Sequence, residues 1–206
     1  MHFMYKCKIL ADKISNLTDA RYFSARFADI ICFDPDAISA DDPVKAIVQM
    51  NLMKEWLAGP QIFVRTNFRS NEELERMIRE VEPDGILISC FDQPDEALFH
   101  EKKVFRELIV DQDNPEYIFE ITGDYDGILI DVRQTGLLAD SNFIQKLKQL
   151  TRQYIIFIKN DDLNEAAVFT KQNVSFANLA INGMAEHRTG FRSYDDTDDI
   201  LQQLEV

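Results

Sequence analysis

The sequence predicts a (β/α)8 TIM barrel, one small α/β domain over residues 1–206, and three observations carry that expectation. Short β-rich runs recur eight times with helix-like stretches between them. Runs such as IICF and YIIFI are apolar throughout, which suits parallel strands covered on both faces. Eight such units in 206 residues sit at the lower size limit of a barrel, with a doubly wound open sheet as the competing architecture.

In chain order the strands are expected at Lys6–Ala11, Asp29–Phe33, Gln61–Thr66, Gly85–Ser89, Arg106–Val110, Gly127–Asp131, Tyr154–Lys159 and Ser175–Ile181. Helices are expected near Asp19–Phe27, Asp42–Leu57, Asn71–Val81, Pro94–Phe99, Pro115–Ile121, Asn142–Thr151, Leu163–Gln172 and Asp195–Leu204. Entry signals mark three of them: Thr18 with Asp19, then Asp41 and Asp42 with Pro43, then Ser70 with Glu73 as a capping box. The last helix reads as a closing cover, with Asp195, Asp196, Asp198 and Asp199 favouring its N-terminal turns. PDGILISC and YDGILIDV echo each other, and each Asp-Gly supplies a turn into a buried strand. Convergence of two buried strands on Ile and Leu explains that echo as well as duplication does.

Composition excludes several function classes. A hydrophobic content of 46% over 206 residues is enough for a full core. The formal net charge of -14, with no basic stripe, argues against a nucleic-acid partner. The opening MHFMYKCKIL lacks the pattern of a signal peptide and no apolar run reaches spanning length, so no membrane association and a cytoplasmic location are expected. Cys7, Cys32 and Cys90 are an odd number at wide spacing, and the three histidines are scattered, so no metal site is expected and the thiols read as free, buried core fillers.

In a barrel the chemistry belongs at the C-terminal ends of the strands. Asp12, Phe33–Asp34, Arg65–Thr66, Ser89–Cys90, Asp111, Asp131, Lys159–Asn160 and Asn182–Gly183 stand there. Around these positions the motifs LADKISNLTDA (Leu10–Ala20), FADIICF (Phe27–Phe33), PDGILIS, GILIDV and INGMAE (Ile181–Glu186) follow in an order that resembles the phosphoribosylanthranilate isomerase family. Ile14, Asn16, Leu17, Asp19 and Ala20 fit the family's first strand and loop.

That resemblance implies an Amadori rearrangement, aldose to ketose, in tryptophan biosynthesis, without metal or redox cofactor. A general acid and a general base share the work. Asp131 matches the family's acid, and Asp12 stands where the family has a catalytic cysteine, a position at which the related barrel isomerase of histidine biosynthesis uses an aspartate. Arg65, Lys159, Asn182 and Gly183 are the candidate substrate-binding residues, for a small molecule such as a sugar phosphate, in a monomer or homodimer.

The departures fall on substrate capture. The family grips phosphate with glycine-rich loops after strands six, seven and eight, because glycine lets backbone N–H groups approach the anion. Here VRQTG (Val132–Gly136) keeps one glycine, and KNDDLNE (Lys159–Glu165) puts Asp161 and Asp162 where the resemblance calls for Gly-Gly-Leu. Arg188 and Arg192 are candidate replacement cations. DPDAISADDP lacks the family's Ser-Pro-Arg, Ser89–Cys90 replaces His-Gly, and Lys13 replaces the glycine after the catalytic cysteine. Lys13 and Arg65 read as salt-bridged surface groups, and His187 as a solvated loop residue. The alternative function is therefore a non-catalytic barrel that binds a different ligand or a protein partner.

Overall fold

Eight parallel strands pair side by side in chain order, and the last returns to the first, so the sheet closes into a barrel. The computed structural model describes residues 5–67, 70–90, 92–111, 121, 123–133, 136–183 and 193–206. The strands are β1 (Ile9–Ile14), β2 (Ile30–Phe33), β3 (Gln61–Arg65), β4 (Gly85–Ile88), β5 (Lys103–Val110), β6 (Gly127–Val132), β7 (Ile155–Asn160) and β8 (Ala177–Asn182). The helices among the described residues are α1 (Leu17–Ala25), α2 (Pro35–Ser39), α3 (Pro43–Lys54), α4 (Asn71–Val81), α5 (Ser141–Leu150), α6 (Leu163–Gln172) and α7 (Asp195–Leu204). None of them is long and apolar enough to cross a membrane.

Local chemistry sets the helix starts. Asp42 caps α3 with Pro43 at its first position, and Ser70 Oγ accepts from Glu73 N, as the sequence signals indicate. At α1 the cap is Asn16 rather than Thr18, with its side chain accepting from Asp19 N. The short α2 was not anticipated; Asp34 caps it and Pro35 opens it. Pro94–Phe99 reduces to a 3₁₀ turn over Glu96–Phe99, and 115–120 of the expected helix Pro115–Ile121 lie outside the described residues. Helix α7 covers the barrel wall, burying Ile200, Leu201 and Leu204.

Two strand boundaries differ in ways that matter for the site. β1 continues through Asp12 to Ile14 instead of stopping at Ala11, because the Asp12 carboxylate finds partners inside the barrel. β5 begins at Lys103 instead of Arg106, which brings Phe105 into the barrel wall two residues before Glu107.

The apolar side chains form two cores. One lies between the sheet and the helices; the other fills the barrel interior with Leu10, Ile30, Cys32, Phe63, Leu87, Phe105, Leu129, Phe157 and Ala180. Side chains alternate across a strand, so alternate strands contribute to alternate levels. Leu10, Phe63, Phe105 and Phe157, from the four odd-numbered strands, share one level, with ring centroids 4.9 Å apart for Phe63–Phe105 and 5.8 Å for Phe105–Phe157. Gly85 and Gly127 make room for these rings: a Cβ on Gly85 would overlap Phe63, and one on Gly127 would lie 2.8 Å from Phe105.

The Asp-Gly echo has a physical cause. At the N-terminal end of the barrel, Asp84 Oδ2 accepts from Ile62 N at 2.7 Å and Asp126 Oδ2 from Val104 N at 2.8 Å. Asp29 does the same for Ile9 N at 2.8 Å. Each aspartate ahead of β2, β4 or β6 thus satisfies an amide at the start of the preceding odd strand, a group that burial would otherwise penalise. Asn178 in β8 accepts from Lys8 N and donates to Ile156 O, closing the circuit.

Gly85→Ala should cost about 1–3 kcal/mol through overpacking. Urea denaturation should recover part of that loss in the double variant with Phe63→Leu, where the ring no longer fills the space.

Candidate functional site

Two residues beyond the phenylalanine level, each odd strand directs one charged side chain inward: Asp12 from β1, Arg65 from β3, Glu107 from β5 and Lys159 from β7. Their signs alternate around the barrel. Arg65 Nη1 lies 2.8 Å from both oxygens of Asp12, while Nη2 donates to Glu107 Oε2. Lys159 Nζ closes the ring at 3.2 Å from Asp12 Oδ2 and 3.1 Å from Glu107 Oε1. Each acid therefore meets both bases. Exposure is 0% for Asp12, 3% for Arg65, 4% for Glu107 and 3% for Lys159, so the ring is sealed from water.

Burial alone would raise the Asp12 carboxyl, but the charges of Arg65 and Lys159 and their hydrogen bonds outweigh it and hold the group below the usual carboxylate range. The same balance operates on the bases. Burial would lower Lys159, yet Asp12, Glu107 and Asp131 raise it; Arg65 is raised against its own burial by Asp12 and Glu107. All three stay charged at neutral pH. Cys32, buried in the barrel interior, is pushed well above the usual thiol range by burial and then by the Asp12 charge.

Asp131, at the end of β6, joins from the next level. Its Oδ2 is 3.3 Å from Lys159 Nζ and 3.5 Å from Arg133 Nη2. Asp12 and Asp131 thus stand at the same end of the closed barrel and share one ammonium group. Arg65 is salt-bridged as expected, but as a buried member of the ring rather than a surface group. Lys13 follows Asp12 within β1 in the left-handed conformation, φ 54°. Of the three thiols, Cys32 and Cys90 are buried and Cys7 only half-buried.

The rim over β2, β3 and β4 is latched by its own hydrogen bonds. Asn67 Nδ2 donates to Asp34 Oδ1 at 2.6 Å and Asn67 Oδ1 accepts from Ser89 Oγ at 2.9 Å. Thr66 Oγ1 donates to Asp92 and accepts from Ser89 N. Arg106 then ties the loop after β4 to β5 through the Cys90 and Asp92 carbonyls.

The positions that resemble a phosphate cradle are occupied by the protein's own carboxylates. Asp162 caps α6, with Oδ1 accepting from Asn164 N at 2.9 Å and Glu165 N at 3.2 Å. Glu165 Oε1 accepts from Gly136 N, the one glycine of the loop after β6, at 3.0 Å. Gly183 packs against β1: its N–H meets Asp12 O, and a Cβ there would lie 2.9 Å from both Ile14 Cδ1 and Lys13 O. Asn182 Oδ1 and Arg65 Nε are buried with no hydrogen-bond partner among the described residues. Gln134, Thr135, Met184–Glu186, His187, Arg188 and Arg192 lie outside the described residues. Among the described residues there is no cluster with metal-ligand character.

No protein-family model and no curated protein sequence matches the chain. Solved structures do. N-(5'-phosphoribosyl)anthranilate isomerase from Pyrococcus furiosus superposes with a TM-score of 0.68 at 12% identity, covering 96% of this chain and 98% of that one. Phosphoribosyl anthranilate isomerase from Thermotoga maritima gives 0.66 at 14% identity, with the same 96% and 98% coverage. Type I 3-dehydroquinate dehydratase from Clostridium difficile gives 0.61 at 14%, covering 98% of this chain and 93% of that one. The fold is that of the phosphoribosylanthranilate isomerases from end to end.

Glu107 is the ring member that sequence reasoning missed. The signal was present: FVR, FRE and FIK place a charge two residues after an inward phenylalanine in β3, β5 and β7, and LAD repeats the spacing in β1.

Arg65→Met should destabilise the fold by about 3–5 kcal/mol, because it strands buried carboxylates. In a denaturation cycle, adding Asp12→Leu should recover a large part of that loss. The pH profile follows from the same ring. A lowered Asp12 stabilises the fold above the unfolded value of about 4, and that contribution disappears as pH falls through the folded value. A raised Lys159 stabilises below about 10.4 and loses its contribution as pH rises through its folded value. Melting temperature should therefore be flat between these limits and fall on both sides, with a smaller acid limb in Asp12→Asn.

Proposed function

We propose that this chain is a phosphoribosylanthranilate isomerase-like barrel whose mouth holds a small, uncharged hydrogen-bonding ligand without a phosphate, such as a polyol. One observation carries the reading: the amides of Gly136, Asn164 and Glu165, where the resemblance places an anion, already donate to Glu165 and Asp162. A phosphate there would have to displace a carboxylate and sit beside Asp161 and Asp162, at a Coulomb cost that low dielectric enlarges. The buried Arg65 Nε donor and Asn182 Oδ1 acceptor have no hydrogen-bond partner among the described residues. Such atoms call for a ligand or water that both accepts and donates, which a hydroxyl group does.

A second reading, aldose–ketose isomerisation with Asp12 as base and Asp131 as acid, is favoured by their common contact with Lys159. It requires the sealed ring to open, since a base must reach the proton that it removes.

Thermal melting separates the two. A ligand that binds the native state alone raises the midpoint. Ribose and related polyols at millimolar concentration should raise it, whereas inorganic phosphate and ribose 5-phosphate should add nothing beyond the unphosphorylated sugar. A phosphate-specific shift would contradict the proposal. Incubation with phosphoribosylanthranilate should leave its fluorescence unchanged; a loss that disappears in Asp131→Asn would establish the second reading instead.

A further inference from the structure

Helix α3, PVKAIVQMNLMK, is apolar on both sides. Its inner side buries Ala46, Ile47, Met50 and Met53. Its outer side carries Val44, Val48 and Leu52, and Trp56 prolongs the line, because Glu55 N and Trp56 N still donate to Asn51 O and Met53 O. These four side chains, each four residues after the last, are between 45% and 63% exposed. Four-residue spacing makes them a single ridge, about 18 Å long at the helical rise. A helix that is hydrophobic all round is normally covered. Neighbouring α4 shows the ordinary pattern, with Leu74, Met77 and Val81 buried and Glu72, Glu75 and Arg79 exposed.

The ridge has the same order in both directions. With Met50 as centre, Val44 mirrors Trp56 and Val48 mirrors Leu52, so each apolar residue meets an apolar residue when the surface packs antiparallel against a copy of itself. The polar flank shares that centre: Lys45 mirrors Glu55, both are exposed, and neither has an ion-pair partner among the described residues. Antiparallel pairing therefore sets opposite charges side by side, twice, whereas parallel pairing would set Lys45 against Lys45 and Glu55 against Glu55. A further match lies at the ends. The Arg21 guanidinium stands 5.5 Å from the Trp56 ring centroid, and the same register brings it towards the partner's Asp41, which is exposed ahead of Val44. Lys54 is committed to the Val81 and Glu82 carbonyls, and Glu82 is a further exposed acid near that end. The match is thus one of register rather than of net sign. The charge of -14 spread over the rest of the molecule opposes it weakly, since charges more than about 8 Å apart are largely screened at physiological ionic strength.

We propose that the outer ridge of α3 is the interface of a homodimer, in which two copies of this chain pack antiparallel through Val44, Val48, Leu52 and Trp56, with Lys45 of each beside the partner's Glu55. Ridges of four-residue spacing pack into one another with the helix axes about 50° apart. Burial of the apolar ridge supplies the affinity, and the charged pairs fix the direction. The interface lies on the outside of the barrel and does not depend on what the C-terminal mouth binds.

The test is sedimentation of the whole protein between about 1 μM and 1 mM at low salt, together with the emission of Trp56, the chain's one tryptophan. The protein should pass from monomer to dimer within that range, and over the same concentrations the emission should move to shorter wavelength and become less accessible to iodide. Leu52→Glu should remain monomeric throughout. Lys45→Glu and Glu55→Lys should each weaken the dimer at least tenfold, because each puts like charges in contact, and an equimolar mixture of the two should regain wild-type affinity as a heterodimer. A wild-type monomer at the highest concentration, a dimer that Leu52→Glu leaves intact, dimerisation without change at Trp56, or a mixture no tighter than its components would each overturn the proposal. Recovery in the mixture also shows that both charge variants are folded.

Discussion

The structure depends on a ring of four charges that have no access to water. Placing Asp12, Arg65, Glu107 and Lys159 at one level of a closed barrel removes four ions from solvent, an expense that only close and complete pairing offsets. The alternation of sign around β1, β3, β5 and β7 meets that condition, because every acid touches two bases. A hydrophobic level would fill the same space at no electrostatic cost. What the ring adds is orientation: each member restrains its neighbours, and four strands that are far apart in sequence are locked into one register.

This arrangement changes what the C-terminal mouth offers. The resemblance implies a first strand that ends in a group free to take a proton. Here the corresponding carboxylate is committed to Arg65 and Lys159 and held ionised as a structural counter-ion. Loop chemistry points the same way: Asp162 and Glu165 occupy backbone amides that glycines would otherwise present to a ligand. Retention of Gly183 has a packing cause, since the backbone of Lys13 and the side chain of Ile14 leave no room for a Cβ. Resemblance at that position carries no information about anion binding.

How much of this was legible in the sequence varied with the range of the interaction. The barrel was legible because continuous apolar runs and helix caps are local signals, and Asp42–Pro43 and Ser70–Glu73 behave as their chemistry dictates. Asp12, Asp131, Arg65 and Lys159 were recognisable as strand-end residues. Their partnership was not, since it depends on levels shared by strands up to 147 residues apart. Glu107 was lost through a boundary: beginning β5 at Arg106 hides its place after Phe105. Asp84 and Asp126 were noticed as turn residues, but the amides they satisfy belong to other strands. The two ends of the barrel show opposite uses of carboxylates, single amide caps below and ion pairs above.

The central claim is that the ring is ionised and internally neutralised, and carboxyl-carbon NMR of Asp12 as a function of pH reports on it directly. The Asp12 resonance should show no titration through the range near 4 where a free aspartate protonates, and should change only where the fold itself is lost. An ordinary midpoint near 4, with the protein still folded, would mean that water reaches Asp12 and that the ring is not the constraint described.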